Sequence, residues 1–133
     1  MEGASHVPIS ARAEEVATAI VDAAIKVHRA LGPGLLESVY EACLCYELTK
    51  RGIPYRRQVN LPVRYEDVFV ETGFRLDILA DECVIIELKS AEAIIPIHEA
   101  QLLTHLKLAN VRLGLILNFN VPLMKQGIKR MVI

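Results

Sequence analysis

Three residues can do chemistry if the chain brings them together. Glu87 and Lys89 are separated by one residue in Cys83-Val84-Ile85-Ile86-Glu87-Leu88-Lys89, and Asp77 precedes Glu87 by ten positions. Strand side chains alternate, so Glu87 and Lys89 share a face while Ile86 and Leu88 take the other. An acid and a lysine projecting from an apolar strand are costly unless paired or bound to something. Two adjacent carboxylates repel, and a divalent cation relieves this; hard oxygen ligands select Mg2+ or Mn2+. The lysine then offers a fixed positive charge for a phosphate or an attacking hydroxide. The bland alternative is a Glu–Lys pair and an ordinary hairpin Asp. The turn decides between them. A two-residue loop at Asp81-Glu82 pairs Asp77 with Ile86 and splits the acids. A three-residue loop through Cys83, or one bulge, pairs Asp77 with Glu87.

Further polar groups lie on two amphipathic segments. On the helix expected over residues 35–51, Leu35, Leu36, Val39, Tyr40, Cys43, Leu44, Tyr46 and Leu48 define the apolar arc, with Glu37 at its edge and Glu47 nearer its middle. Ten residues of helix separate the two acids by roughly 15 Å, so one metal cannot take both. Glu47 is expected to be a structural carboxylate paired with Arg51, Arg56 or Arg57. His98, Gln101 and His105 form one polar stripe on a later helix. His28 and His6 read as structural or solvated. His98-Glu99 lacks zincin spacing, the cysteines lack zinc spacing, and no phosphate-cradling glycine loop or nucleophile elbow occurs.

The elements that must position these groups follow from periodicity. Residues 1–9 read as a loose tail and 10–133 as a single domain. Ser10 can cap a helix in which Val16, Ile20, Ala23, Ala24, Val27 and Leu31 recur at helical spacing. Gly32-Pro33-Gly34 stops it, and the second helix ends at Gly52. Period-two residues Val59, Leu61, Val63 and Tyr65 begin a strand. Glu66-Asp67 turns into a second strand, Val68–Ala80, with Phe74, Leu76 and Ile78 facing away from Asp77 and Gly73 marking a bulge. The third strand carries Glu87 and Lys89. Pro96 opens a crossover helix; residues 111–119 form a fourth strand and 128–133 a short fifth. A crossover helix of that length joins parallel strands. The class is α/β, with a mixed sheet of 4–5 strands, two N-terminal helices and one crossover helix.

Composition narrows the function classes. The 133 residues carry 15 Lys+Arg against 16 Asp+Glu, a net charge of −1 that excludes a blanket electrostatic grip on nucleic acid but not a local basic strip. At 53% hydrophobic the chain is apolar for its size, which points to a homodimer or larger assembly, with residues 113–124 a candidate surface. No apolar run is long enough for a membrane span, and the N-terminus lacks the pattern of a signal peptide. Three cysteines, two of them only two residues apart, suit reduced thiols in a cytoplasm.

Gly34-Leu35-Leu36-Glu37-Ser38-Val39-Tyr40 reads as G-x-x-E-x-x-Y, and the chain resembles the GxxExxY protein family. The likeness runs from Val27-His28 through Val84-Ile85-Ile86-Glu87-Leu88-Lys89 and His98-Glu99-Ala100-Gln101-Leu102-Leu103 to Asn118-Phe119. That family belongs to the PD-(D/E)xK nuclease-like superfamily, with a restriction-endonuclease-like core of a helix, three strands, a crossover helix and a strand. The resemblance implies that Asp77 and Glu87 bind Mg2+ or Mn2+, with the Leu88 carbonyl a further ligand and Lys89 the motif lysine. Glu37 resembles the additional helix acid of some nuclease branches. Gln101 with His105 resembles a Gln-x-x-x-Tyr element in which His105 replaces the tyrosine, and Leu76 stands where the superfamily's name has proline. The implied activity is hydrolysis of a phosphodiester in DNA or RNA by metal-activated water. The alternative is a non-catalytic binding or assembly module that keeps the fold.

Overall fold

The structure, a computed structural model, describes residues 7–133; His6 and the first part of the expected tail lie outside the described residues. Helix α1, Ala11–Leu31, begins where the Ser10 hydroxyl accepts the Ala13 amide at 3.1 Å, a side-chain cap for an otherwise orphaned donor. It ends at Gly32, whose φ of 73° lies in the left-handed region glycine tolerates. Helix α2, Glu37–Lys50, follows after a short loop. Tyr40 fastens that loop: its hydroxyl donates to the Gly32 carbonyl at 2.6 Å and accepts the Leu35 amide at 3.1 Å. The Tyr40 ring is fully buried and stacks on Phe119, with centroids 4.4 Å apart.

The sheet comprises β1 (Tyr55–Tyr65), β2 (Val68–Ala80), β3 (Val84–Lys89), β4 (Leu113–Asn118) and β5 (Ile128–Val132), in that spatial order. All neighbours are antiparallel except β3 and β4, which run parallel and are joined by helix α3, Pro96–Ala109. This is the mixed α/β sheet expected from the pattern. Between β1 and β2 the register shifts between Leu61 and Val63, where Pro62 alone faces the Glu71-Thr72-Gly73 stretch. Proline cannot donate to a ladder, so an irregularity on this outer strand is its natural place.

Two cores sandwich the sheet. On one side α1 and α2 pack Val16, Ile20, Leu44 and Leu48 against Ile78, Ile86, Leu88, Leu115 and Leu117. On the other, Leu102 and Leu106 of α3 cover Leu79, Ile85 and Ile116. Each such side chain contributes about 1.5–3 kcal/mol on burial. Covered on both faces, β3 and β4 are apolar almost throughout. Gly114 lets α3 approach closely, since a Cβ there would lie 2.9 Å from the Leu102 side chain.

Three expectations need correction. The buried stripe of α2 is Tyr40, Glu41, Leu44, Cys45, Glu47 and Leu48, whereas Leu35, Leu36, Val39 and Tyr46 are exposed. The helix rests on α1 and β3 through the first set, which leaves the second to solvent. Strand alternation also breaks at Asp77. Ile78 joins the α1/α2 core, but Leu76 and Phe74 pack on the α3 side. The twist coincides with Gln58, which has a left-handed φ of 49° and interrupts the β1–β2 ladder opposite Asp77. Finally, of residues 113–124 β4 offers no surface, because neighbouring strands and both helical layers bury all of it, and only Pro122 and Leu123 in the loop beyond it are exposed. Exposed apolar groups gather instead on the β1–β2 hairpin, at Tyr65, Val68, Phe69 and Val70.

Candidate functional site

The turn between β2 and β3 sets the site. Asp81 and Glu82 both adopt left-handed φ, 49° and 55°, and the Cys83 amide donates to the Ala80 carbonyl at 3.0 Å. The ladder nevertheless opens with Ala80 opposite Val84, leaving Cys83 as the third loop residue. Leu79 then faces Ile85 and Ile78 faces Ile86, the last pair of the ladder, so Asp77 and Glu87 come next in line on the two strands. Beyond that point the strands part. The Leu88 amide donates to Asp77 Oδ2 at 2.8 Å, so a carboxylate accepts it where the ladder has ended.

Acids from three elements lie within electrostatic reach of one another at this fork. Burial raises the Asp77 pKa above the usual aspartate range; the Leu88 amide opposes the shift, while Glu87, Glu41 and Glu37 add to it. Glu37, in the first turn of α2, accepts the Ser90 amide at 3.2 Å, and Ser90 Oγ donates to the Leu35 carbonyl at 2.9 Å. The start of α2 is thereby tied to the segment just after Lys89. Lys89 itself is half-buried and makes no side-chain hydrogen bond or ion pair among the described residues. Gln101 is exposed on α3, one turn before His105.

Several groups here were not singled out from sequence. Glu41, only 7% exposed, is held by Arg57 Nε and Gln58 Nε2, each at 2.8 Å. Lying four residues after Glu37, it shares that helix face, a spacing that could have drawn attention to it. Asn118, 1% exposed at the end of β4, clasps Ala91 by accepting its amide at 3.1 Å and donating to its carbonyl at 3.0 Å. An asparagine ending an apolar strand was the available signal. His105 reaches Glu87: its Nδ1 contacts Glu87 Oε2, and its ring stacks on Phe74 with centroids 5.1 Å apart.

The remaining candidates separate from the fork. Glu47 is ringed by Arg51, Lys26 and Lys50, the structural role expected of it, while Arg56 pairs with Glu82 and Arg57 with Glu41. His28 Nε2 lies 2.7 Å from the Val121 carbonyl, and His98 Nδ1 accepts the Ile95 amide at 3.2 Å at the start of α3. The three cysteines are unpaired, and burial pushes the Cys45 thiol up to about 11.

A family model described as the PD-(D/E)XK nuclease superfamily matches residues 14–131. The chain belongs to this superfamily. Neither the curated proteins nor the solved structures give a match. Members of the PD-(D/E)XK nuclease superfamily typically use divalent metals, and the donor chemistry of the fork fits such an ion. Asp77 carries a desolvated carboxyl in the field of three other acids, an excess of hard anionic oxygen. Among the described residues no three His, Cys, Asp or Glu side chains form a ready-made cage. Main-chain oxygen and water would complete the shell, a mode of binding typical of Mg2+.

Proposed function

We propose that this chain is a Mg2+- or Mn2+-dependent phosphodiester hydrolase of the GxxExxY type acting on nucleic acid. The observation that carries the reading is the Ile78–Ile86 register, which leaves Asp77 and Glu87 next in line where the ladder ends, near a Lys89 with no side-chain partner among the described residues, on the fold of a nuclease superfamily. Asp77, Glu87 and the Leu88 carbonyl would hold the ion, with Glu37 reaching it directly or through water. When bound, such an ion polarises a phosphodiester and lowers the pKa of a water. Lys89 stabilises negative charge developing on the phosphate. Gln101, exposed on the same α3 stripe as His105, faces the substrate. The protein works in the cytoplasm as a homodimer or larger assembly.

The test is incubation of purified protein with a mixed set of DNA and RNA forms, with Mg2+, Mn2+ or EDTA. Cleavage should need the metal and fall about 10²- to 10³-fold in Lys89→Ala, the scale of losing one charge-stabilising donor. Equal cleavage by Lys89→Ala would overturn the assignment. One observation favours a second reading, a binding or assembly module without catalysis: the exposed apolar groups of the β1–β2 hairpin. On that reading no substrate is cut under any metal.

A further inference from the structure

Glu87 is only 5% exposed, and one of its two oxygens is already engaged. The partner is His105 Nδ1, reaching from α3 across the face of β3. Its ring is held from both directions. Leu102 and Leu106 anchor α3 on either side of His105 and are fully buried, and Phe74 of β2 lies against the imidazole with planes 24° apart. With Glu87 ionised, the form in which a carboxylate ligates an ion, it can only accept, so Nδ1 carries the hydrogen and Oε2 accepts it. The other oxygen, Oε1, makes no hydrogen bond or ion pair among the described residues and is the one left open to an ion.

We propose that His105 is a positioning residue that restricts Glu87 to one-oxygen ligation and so sets the ion preference of the site. This rests on the metal-dependent reading above. Ca2+ takes six to eight oxygens and readily uses both oxygens of a carboxylate. Mg2+ and Mn2+ are satisfied by six-coordinate oxygen shells with single-oxygen carboxylates and water. Holding Oε2 away therefore disfavours Ca2+ and orients Oε1 for the smaller ions. Hydrogen-bonded partners of ligating groups commonly change metal affinity by about 10- to 100-fold when removed.

The test compares wild type, His105→Phe and His105→Asn by calorimetric titration with Mn2+ and Ca2+. Phenylalanine keeps the stacking on Phe74 and loses the donor; the asparagine amide nitrogen occupies about the place of Nδ1. In His105→Phe, Mn2+ binding should weaken about tenfold or more while Ca2+ binding holds or tightens, with His105→Asn restoring the wild-type order. A purely structural role would weaken both ions together, and that outcome overturns the proposal. The wild type supplies a check that needs no variant. The long-range 1H–15N spectrum should show His105 protonated at Nδ1, and still so with Mg2+ bound. Loss of that proton on adding Mg2+ would mean that His105 is itself a ligand. Failure of wild type to bind either ion defeats the metal reading and this one together; unchanged ion preference in His105→Phe defeats this one alone.

Discussion

A carboxylate placed where water is scarce and other acids are near destabilises the fold that carries it. Asp77 is in that position, and Asn can still accept the Leu88 amide. Asp77→Asn should therefore raise the melting temperature of the metal-free protein by about 2–5 °C while removing the heat of Mn2+ binding. Parallel thermal melts and titrations check this; a lowered melt would contradict the desolvation argument. Glu47 is the opposite case. Arg51 first, then Lys26 and Lys50, hold its pKa below the ordinary 4.5 despite burial. A depressed pKa gives stability that is present above the unfolded value and lost as pH falls through the folded one. Glu47→Gln should melt lower than wild type at pH 7, with metal binding intact, and the gap should close as pH drops below 4.5. Tests of Glu37 belong beside it: Glu37→Gln should weaken Mn2+ binding with little change in the melt.

At the scale of elements, what matters is how loops hold the ends of helices and strands in place. Tyr40 ties Gly32 to Leu35, so the tyrosine of the G-x-x-E-x-x-Y run fixes where α2 starts and hence where Glu37 sits. Tyr40→Phe leaves a carbonyl and an amide without that partner; it should cost about 1–2 kcal/mol in denaturant melts. The β4–β5 connection is tighter still. A Cβ on Gly127 would lie 1.9 Å from the Asn118 carbonyl oxygen, which is backbone and cannot step aside. Gly127→Ala should destabilise by about 3 kcal/mol or more, displacing the strand end from which Asn118 clasps Ala91. Circular dichroism melts measure the loss.

For the molecule as a whole, the long β1–β2 hairpin is the part the body does not cover. Tyr65, Val68 and Val70 are exposed near its tip, and the Arg64 guanidinium lies 5.2 Å from the Phe69 ring centre. A two-stranded ribbon is marginal in water without a packing partner. If a second copy supplies it, light scattering at micromolar concentration should give a mass above 14.8 kDa, and Tyr65→Lys with Val68→Lys should return it to that value. A wild-type particle of 14.8 kDa would remove the expected assembly.

Much of this architecture was legible along the chain because it rests on local rules. Helical spacing ended by Gly32, period-two runs broken at Glu66-Asp67, and proline opening α3 each depend on neighbours a few residues away. The shared face of Glu87 and Lys89 needed only strand alternation. Whether Asp77 came into line with Glu87 did not. That depended on one extra loop residue, Cys83, in a turn whose first two residues take left-handed φ without a glycine to announce it. The partners of Glu41 and the reach of His105 to Glu87 lay further beyond the sequence, since Arg57 and Gln58 come from β1 and Phe74 from β2. Local propensity set which elements form, but not every shared face: Leu76 and Ile78 lie on opposite sides of the sheet, and α2 buries another arc than its apolar pattern suggests. Only the packing of distant strands and helices could decide which charges meet, because contacts between residues far apart in the chain leave no periodic trace in it.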